Sequence, residues 1–242
     1  MARRRKRRKI KVSVTTIIIA LAIAIFGGYT QMNNQSTETT KTTTSVSKEN
    51  LQKLDYDGQQ VVNVNNGKPT FTKDDLSIAH GSWQMFSDLD SLNRVGTANA
   101  ILGKELMPTR ERDPLYIQPT GWHNKQVNSD GNRIWLYNRS HIIGFQLTGE
   151  NNNPKNLMTG TASMNAPGME EYESRVAKYI KATKHHVRYQ VEPIFRDNEL
   201  LARGVHMQAQ SIEDDQISFN IYIFNIQKDV TLNYNDGTSV QN

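Results

Sequence analysis

The residue type best suited to proton transfer in this sequence is a histidine that follows a short polar run. Asn138, Arg139 and Ser140 precede His141, and apolar residues lie on both sides of the run. A neutral imidazole has its pKa near physiological pH, so it can take a proton from water and generate a nucleophile for hydrolysis. A lone histidine at a strand end is more often structural, so this interpretation depends on other polar residues further along the chain.

Two side chains with oxygen atoms lie downstream of this run. Asn165 precedes an amphipathic segment, and Glu173 lies within it, eight residues later. Eight residues correspond to about 80° of rotation on a continuous helix, so both side chains are expected to reach one pocket. Mg²⁺ prefers oxygen ligands and keeps several waters, and an uncharged amide oxygen leaves the charge of the ion available to a substrate. Taken singly, Asn165 is also typical of a helix cap and Glu173 of a solvated helix face.

Asn138-Arg139-Ser140-His141 resembles the Asp-Arg-Gly-His signature of the DNA/RNA non-specific endonucleases in the ββα-metal superfamily. More closely, the sequence resembles their secreted and membrane-anchored bacterial members, over most of residues 55–235. Further matches are Pro119-Thr120-Gly121-Trp122, Asn153-Pro154-Lys155-Asn156, and the Asn and Glu described above. The resemblance implies an α+β fold, with an antiparallel sheet and a metal-site helix. It also implies hydrolysis of DNA and RNA to 5′-phosphate ends.

Roles for three residues follow from the same resemblance. It assigns His141 as the general base and Asn165 as the protein ligand of Mg²⁺, with Mn²⁺ as an alternative metal. Glu173 is implied to assist near the metal-bound waters. Together with Arg139, these three form the catalytic and metal-binding part of the expected site.

The role of Arg139 and the substrate-binding residues are less sharply defined. Arg139 is implied to be either structural or a phosphate contact, and a buried ion pair is the competing interpretation. Arg110 and Arg112 are candidates for clamping phosphate, against solvated loop charge. Asn138 stands where the broader family has Asp, so it keeps the ability to form hydrogen bonds but removes a negative charge beside the metal. We therefore group Asn138 with the substrate-binding candidates.

The elements that must position these residues are predicted from periodicity. Apolar residues recur at helical spacing from Met169 to Thr183, with acidic residues leading and basic residues trailing, as the helix dipole favours. Three later segments, Val187–Val191, Leu200–Ala209 and Ile217–Phe224, predict a β-meander after the helix. The order indicates one α+β domain over about residues 55–235, with an antiparallel sheet.

Three shorter segments carry weaker signals. Val61–Val64 predicts a strand, and residues 89–106 predict a helix broken at its glycines. Ile134–Tyr137 predicts a short buried strand. The three tryptophans, Trp83, Trp122 and Trp135, are expected in the core more than as platforms for base stacking.

The net charge of +5 is misleading unless the charges are located. The first eleven residues hold eight of the 29 Lys and Arg and no acid, so the rest of the chain, with 21 Lys and Arg against 24 Asp and Glu, carries −3. An apolar run follows, so residues 1–29 predict an N-terminal apolar helix that is either a cleaved signal or an uncleaved single-pass anchor with a cytoplasmic N-terminus. A nucleic-acid-binding arm is the weaker alternative. Residues 30–54 predict a disordered stalk, and 236–242 a C-terminal tail.

These observations predict a metal-dependent, sugar-non-specific endonuclease outside the cytoplasmic membrane, either anchored to it or secreted. The chain has no cysteine, which excludes thiolate metal sites and a cysteine nucleophile. DNA and RNA are the expected substrates, with the membrane contacted through the N-terminal helix, and no protein partner can be inferred. One alternative is a non-catalytic, membrane-anchored DNA-binding and uptake receptor on the same fold. A sequence-specific HNH-type nuclease is a second, but no DNA-reading module is visible.

Overall fold

The computed structural model describes residues 45–242, which form a mixed α+β fold. The strands are β1 (Ser45–Val46), β2 (Val61–Val64), β3 (Trp83–Phe86), β4 (Ala98–Leu102), β5 (Gln126–Ser129), β6 (Asn132–Trp135), β7 (Tyr137–His141), β8 (Leu157–Thr161), β9 (Val187–Ile194), β10 (Gly204–Ser211), β11 (Ser218–Phe224), β12 (Val230–Leu232) and β13 (Ser239–Gln241). The helices are α1 (Phe145–Thr148) and α2 (Glu170–Thr183), and a π-helical segment, Met164–Met169, leads directly into α2. Short 3-10 turns lie at Lys48–Lys53, Asn65–Gly67, Lys104–Leu106 and Pro154–Asn156.

Seven strands form the main sheet, in the order β1-β2-β11-β10-β9-β4-β3. Its neighbouring strands are antiparallel, except that β1 and β2 pair in parallel. The strands β9, β10 and β11 are consecutive neighbours, so the predicted β-meander is confirmed. Three two-stranded units stand apart from the main sheet: β5 with β6, β7 with β8, and β12 with β13.

The helix α2 covers one face of the main sheet. Its buried side chains Val176, Ala177 and Ile180 belong to the same apolar cluster as the inward side chains of β9, β10 and β11. Alternate residues of a strand point to opposite faces, so each of these strands contributes every second side chain to that cluster. The predicted helix is therefore confirmed, with its first residue at Glu170, and Glu173 in its first turn approaches Gly144, three residues beyond the end of β7.

The opposite face of the sheet carries polar side chains as well as a smaller apolar cluster, and it is covered by the chain that precedes β3. The backbone N–H of Thr70 donates to Gln208 (2.9 Å), Asn220 donates to the carbonyl of Lys68 (2.8 Å), and Lys48 lies 2.8 Å from Glu192. Leu51 is buried beneath the 3-10 turn. Residues 45–54 are therefore folded against the domain and do not belong to the predicted stalk.

Two local expectations are wrong. Residues 89–106 contain no helix broken at its glycines; they contain β4, which lies between β3 and β9. Ala98, Ala100 and Leu102 are fully buried there, so sheet pairing and burial override the helical preference of Ala and Leu. The second error concerns Trp135, which is 58% exposed. Its neighbour Ile134 packs inward, so strand alternation turns Trp135 outward.

Both chain ends bear on the predicted boundaries. The strand β13 lies inside the segment predicted as a C-terminal tail and pairs with β12. The predicted N-terminal apolar helix of residues 1–29 lies outside the described residues. Within residues 45–242, no helix is both long enough and apolar enough to cross a membrane.

Candidate active site

The β7–β8 hairpin positions the polar run of the sequence. Backbone pairing joins Asn138 to Gly160 and His141 to Leu157. A Cβ added at Gly160 would lie 2.3 Å from Oγ of Ser140, so the glycine allows the side chain of Ser140 to pack closely against the backbone of β8. Ser140 is fully buried, and the side chains on either side of it face a cleft.

The chain immediately after His141 is fixed by Asn156. The side chain of Asn156 accepts a hydrogen bond from the N–H of Ile143 (2.8 Å) and donates one to its carbonyl (3.1 Å). The carbonyl of Asn156 also accepts from the N–H of Ile142 (2.8 Å). Asn156 is fully buried, so these bonds are shielded from water. The Asn-Pro-Lys-Asn loop thus holds the histidine-bearing segment in place, a function that its sequence did not indicate.

His141 is 7% exposed and lines the cleft. Its Nε2 lies 2.9 Å from the carbonyl oxygen of Asn151. A carbonyl only accepts, so Nε2 carries the proton and Nδ1 keeps its lone pair. Burial lowers the pKa of His141 from 6.5 to about 4; the Asn151 carbonyl opposes this, and the nearby charge of Arg112 adds to it. The ring is therefore neutral at pH 7 and able to accept a proton at Nδ1.

Glu173 lies in the first turn of α2 and is 8% exposed. Within the described residues its Oε1 has no hydrogen-bond partner. A Cβ added at Gly144 would lie 2.3 Å from Oε2 of Glu173, so only a glycine lets the backbone approach this carboxyl group. Burial raises the pKa of Glu173 to about 8, while the backbone N–H of Gly144 and the side chain of Gln146 oppose the rise.

Asn165 lies in the π-helical segment ahead of α2, and its side chain is half-buried. The two residues predicted to share a pocket do so, because Asn165 and Glu173 both line the cleft. They are not on one continuous helix, however. Ala166 departs from helical geometry, with φ −141° and ψ 122°, so the rotation of about 80° expected for a continuous helix does not apply.

The arginines differ in position. Arg139 lines the cleft, donates from Nε to the carbonyl of Ile117, and stacks its guanidinium on Trp122, with Cζ 4.5 Å from the ring centroid. Arg112 is exposed and also lines the cleft. Arg110 is not among the lining residues and forms an exposed pair with Asp113, at 3.9 Å. Asn138 lines the cleft, so six of the seven predicted site residues lie there.

The cleft has a volume of about 670 Å³ and contains donors suited to a hard cation. The amide oxygen of Asn165 and the unpartnered carboxyl oxygen of Glu173 are oxygen ligands of the type Mg²⁺ uses. In the part of the chain that the structure describes, no three His, Cys, Asp or Glu side chains cluster as metal ligands. The residues present therefore fit an ion that keeps most of its waters, rather than one held by a full set of protein ligands.

Sequence reasoning missed three contributors to this site. The carbonyl of Asn151 orients His141, Gly144 leaves room for the carboxyl group of Glu173, and Trp135 lines the cleft. A backbone carbonyl carries no signal in residue identity, and a single glycine has many explanations. The exposure of Trp135 follows only once the inward direction of Ile134 is known.

A hairpin that carries a buried histidine, followed by a helix that carries a buried glutamate, defines the strand–strand–helix arrangement of ββα-metal nucleases. Residues 76–213 match the family model described as DNA/RNA non-specific endonuclease. This match covers more than half of the chain, so the chain belongs to the DNA/RNA non-specific endonuclease family and is a nuclease.

Solved structures agree with this assignment. Two structures of NucA from Streptococcus agalactiae, one with no metal bound and one with a magnesium ion bound, superpose with TM-scores of 0.67 and 0.68. Each is 26% identical in sequence, over 75% of this chain and 87% of that chain. The structure of Sda1 nuclease with a bound zinc ion has a TM-score of 0.60 and 25% identity, over 66% of this chain and 82% of that chain.

Proposed function

We propose that this nuclease is a divalent-metal-dependent, sugar-non-specific endonuclease that hydrolyses DNA and RNA to 5′-phosphate ends outside the cytoplasmic membrane. The observation that carries the proposal is the convergence of His141, Asn165 and Glu173 on one open cleft. The metal dependence is further supported by the magnesium ion in NucA and the zinc ion in Sda1 nuclease.

His141 acts as the general base. Its Nδ1 accepts a proton from water, and the resulting hydroxide attacks phosphorus in line with the 3′ oxygen. A P–O bond forms to the attacking oxygen, the bond from phosphorus to the 3′ oxygen breaks, and the 3′ oxygen takes a proton from solvent. The phosphate thus remains on the 5′ end. An anionic phosphodiester near the ring raises the pKa of His141 from its low value, which increases the basicity of the ring as substrate binds.

Asn165 would hold the metal ion, and Glu173 would hold its waters. When bound, a divalent cation supplies Lewis-acid stabilisation of charge on the phosphoryl and leaving oxygens. The amide of Asn165 contributes an oxygen without reducing the charge of the ion. The carboxyl group of Glu173, with its pKa raised by burial, is ready to ionise beside a cation and to accept hydrogen bonds from its waters.

The remaining cleft residues hold the substrate. Arg139 keeps its guanidinium in one position through Trp122 and Ile117, so it presents a fixed positive charge to a phosphate. Arg112 lies at the cleft on an exposed loop and supplies a second, adaptable cation. Asn138 offers an uncharged amide beside them. No base-reading group is needed for phosphate contacts, which agrees with cleavage that is independent of sequence.

The location outside the membrane rests on the N-terminal sequence. Eight cations in the first eleven residues precede an apolar run, an order that directs the following chain outward. The sequence leaves both a retained anchor and a cleaved signal open.

A plasmid-nicking assay tests the proposal. Purified protein should relax supercoiled DNA and degrade RNA with Mg²⁺ or Mn²⁺, but not with a chelator, and the products should carry 5′-phosphates that a phosphatase removes. Mg²⁺ should raise the Tm of the wild type, because binding to the folded state stabilises it, and Asn165→Ala should reduce this rise. Cleavage that persists in chelator, or the absence of cleavage with either metal, would contradict the proposal.

A further inference from the structure

Trp135 presents an exposed aromatic ring to the wall of the cleft. It is 58% exposed and is one of the residues that line the cavity holding His141. Its backbone neighbour Ile134 packs into the apolar cluster of Val127 and Leu136, which turns Trp135 toward solvent. Because the ring is exposed within the cleft that also holds His141, it is placed to contact a ligand bound there.

The two tryptophans of the cleft differ in what covers them. The guanidinium of Arg139 lies over the ring of Trp122, so one face of that ring is occupied. In the part of the chain that the structure describes, neither an aromatic ring nor a guanidinium stacks on Trp135. Trp135 therefore offers a free ring face in the same cleft as His141, whereas Trp122 serves to hold an arginine.

Trp135 belongs to a polar, exposed surface on the β5–β6 hairpin. We call this surface the hairpin face; it consists of Gln126, Asn128, Arg133 and Trp135, which are exposed, while Val127, Ser129 and Ile134 on the other side of the hairpin are buried or partly buried. Arg133 is two residues from Trp135 on the same side of β6, about 7 Å along the strand. Among residues 45–242 Arg133 forms no ion pair, and the acid at the hairpin turn, Asp130, is paired with Lys228.

We propose that the hairpin face extends the cleft as a binding surface for single-stranded nucleic acid. Trp135 stacks on an unpaired nucleobase, and Arg133 binds a neighbouring phosphate. Every base has a ring face, so stacking tolerates any sequence and is compatible with non-specific cleavage. In a duplex the ring faces are stacked inside the helix, so the surface favours single strands and locally unpaired segments.

The distance along the chain limits where the base lies. Trp135 and His141 are six residues apart, a separation of at most about 20 Å for extended chain. The stacked base is therefore within a few nucleotides of the scissile phosphate. The inference rests on the proposed function only in taking the cleft as the place where nucleic acid binds.

Binding measured under conditions that prevent cleavage tests this inference separately from the proposed function. The probe is a short fluorescein-labelled oligodeoxythymidine with phosphorothioate linkages, measured by anisotropy in EDTA. Trp135→Ala should weaken binding about 5- to 150-fold, the range for loss of one stacked base. Trp135→Phe should retain most of the affinity because it keeps a ring. Met85→Ala, which truncates an equally exposed side chain outside the cleft, should bind as the wild type does.

Arg133 is tested by the salt dependence of the same binding. Arg133→Ala should weaken binding and reduce the slope of log affinity against log salt by about 0.7, the value for one phosphate contact on a single strand. Arg175→Ala is the matched control, since Arg175 is exposed and lies about 200° around α2 from Glu173. An unchanged slope in Arg133→Ala would overturn the phosphate contact.

An abasic scan distinguishes stacking from a structural role. Removing one base at a time from the probe should weaken wild-type binding at one position by the same factor as Trp135→Ala. At that position the abasic probe should bind the wild type and Trp135→Ala equally. The inference would be overturned if removing a base weakened binding by the two proteins equally at every position. It would also be overturned if Trp135→Ala bound the probe as tightly as the wild type does. If the protein fails to nick plasmid DNA but shows the predicted abasic-scan result, only the proposed function is overturned.

Discussion

The Nε2 atom of His141 lies 2.9 Å from the carbonyl oxygen of Asn151, and this contact determines which ring nitrogen faces the reaction. The proton stays on Nε2, so Nδ1 is the atom available to water. In the proposed mechanism the nitrogen that acts as base is thus selected by a backbone carbonyl, which no substitution at position 151 removes.

Replacement of the base should abolish most activity and leave the fold intact. For His141→Ala we expect kcat to fall about 100- to 10,000-fold, the range for loss of a general base, with partial rescue by added imidazole. Circular dichroism should be unchanged. His80→Ala, which truncates an exposed histidine outside the cleft, is the control and should cleave at the wild-type rate. Full activity in His141→Ala would assign the base to another residue.

The low pKa of His141 also predicts the acid limb of the pH profile. The ring loses its ability to accept a proton as pH falls through its pKa of about 4 in the free enzyme. The acid limb of kcat/KM assigned to this group should therefore lie nearer to 4 than to the usual 6.5. A limb at the usual value would show that Nδ1 is more solvated than the burial of the ring indicates.

Glu173 should make the stability of the metal-free protein depend on pH. Its carboxyl group keeps a proton in the folded state up to about pH 8, whereas in the unfolded chain it ionises above about 4.5. The unfolded state then binds fewer protons, so the free energy of unfolding falls as pH rises through this range. In EDTA, the Tm of Glu173→Gln should therefore be higher than that of the wild type near pH 8, and the difference between the two should shrink towards pH 4.5. Glu171→Gln, an exposed residue of the same helix, should show no such trend.

Asn138→Asp tests the departure from the family signature. A carboxylate at this cleft position adds negative charge near the metal, so metal affinity or the pH optimum should change while cleavage survives. Both are measured by titrating Mg²⁺ at several pH values with plasmid as substrate. If neither parameter changes, the position has no electrostatic role.

Gly144→Ala tests the approach of Glu173 to the backbone. The added Cβ would lie 2.3 Å from Oε2, so the carboxyl group must move away from Gly144. We expect activity to fall about 10- to 100-fold, as for loss of a group that positions a metal site. The shorter side chain of Glu173→Asp should be tolerated better in the Gly144→Ala background than in the wild type. Independent effects of the two substitutions would argue against this contact.

Much of the site can be predicted from the sequence because it depends on side-chain chemistry at characteristic spacing. The resemblance of the ordered motifs to the endonuclease family assigns His141, Asn165 and Glu173 to one site, and the apolar stripe from Met169 predicts α2. The failures share one cause, which is dependence on tertiary context. The Ala and Leu of β4 favour a helix locally, and only burial between β3 and β9 makes them a strand. Arg110 and Arg112 look alike in sequence, but only Arg112 reaches the cleft.

The two contacts made by the loop of Asn151 and Asn156 have a consequence for the rate. One fixes the His141 ring and the other the backbone that follows it. The rotational freedom of the base is therefore given up once, when the chain folds, and not again in each turnover. A mobile imidazole would lose this entropy on reaching the transition state, which would raise the activation free energy. The fixed ring of His141 avoids that contribution.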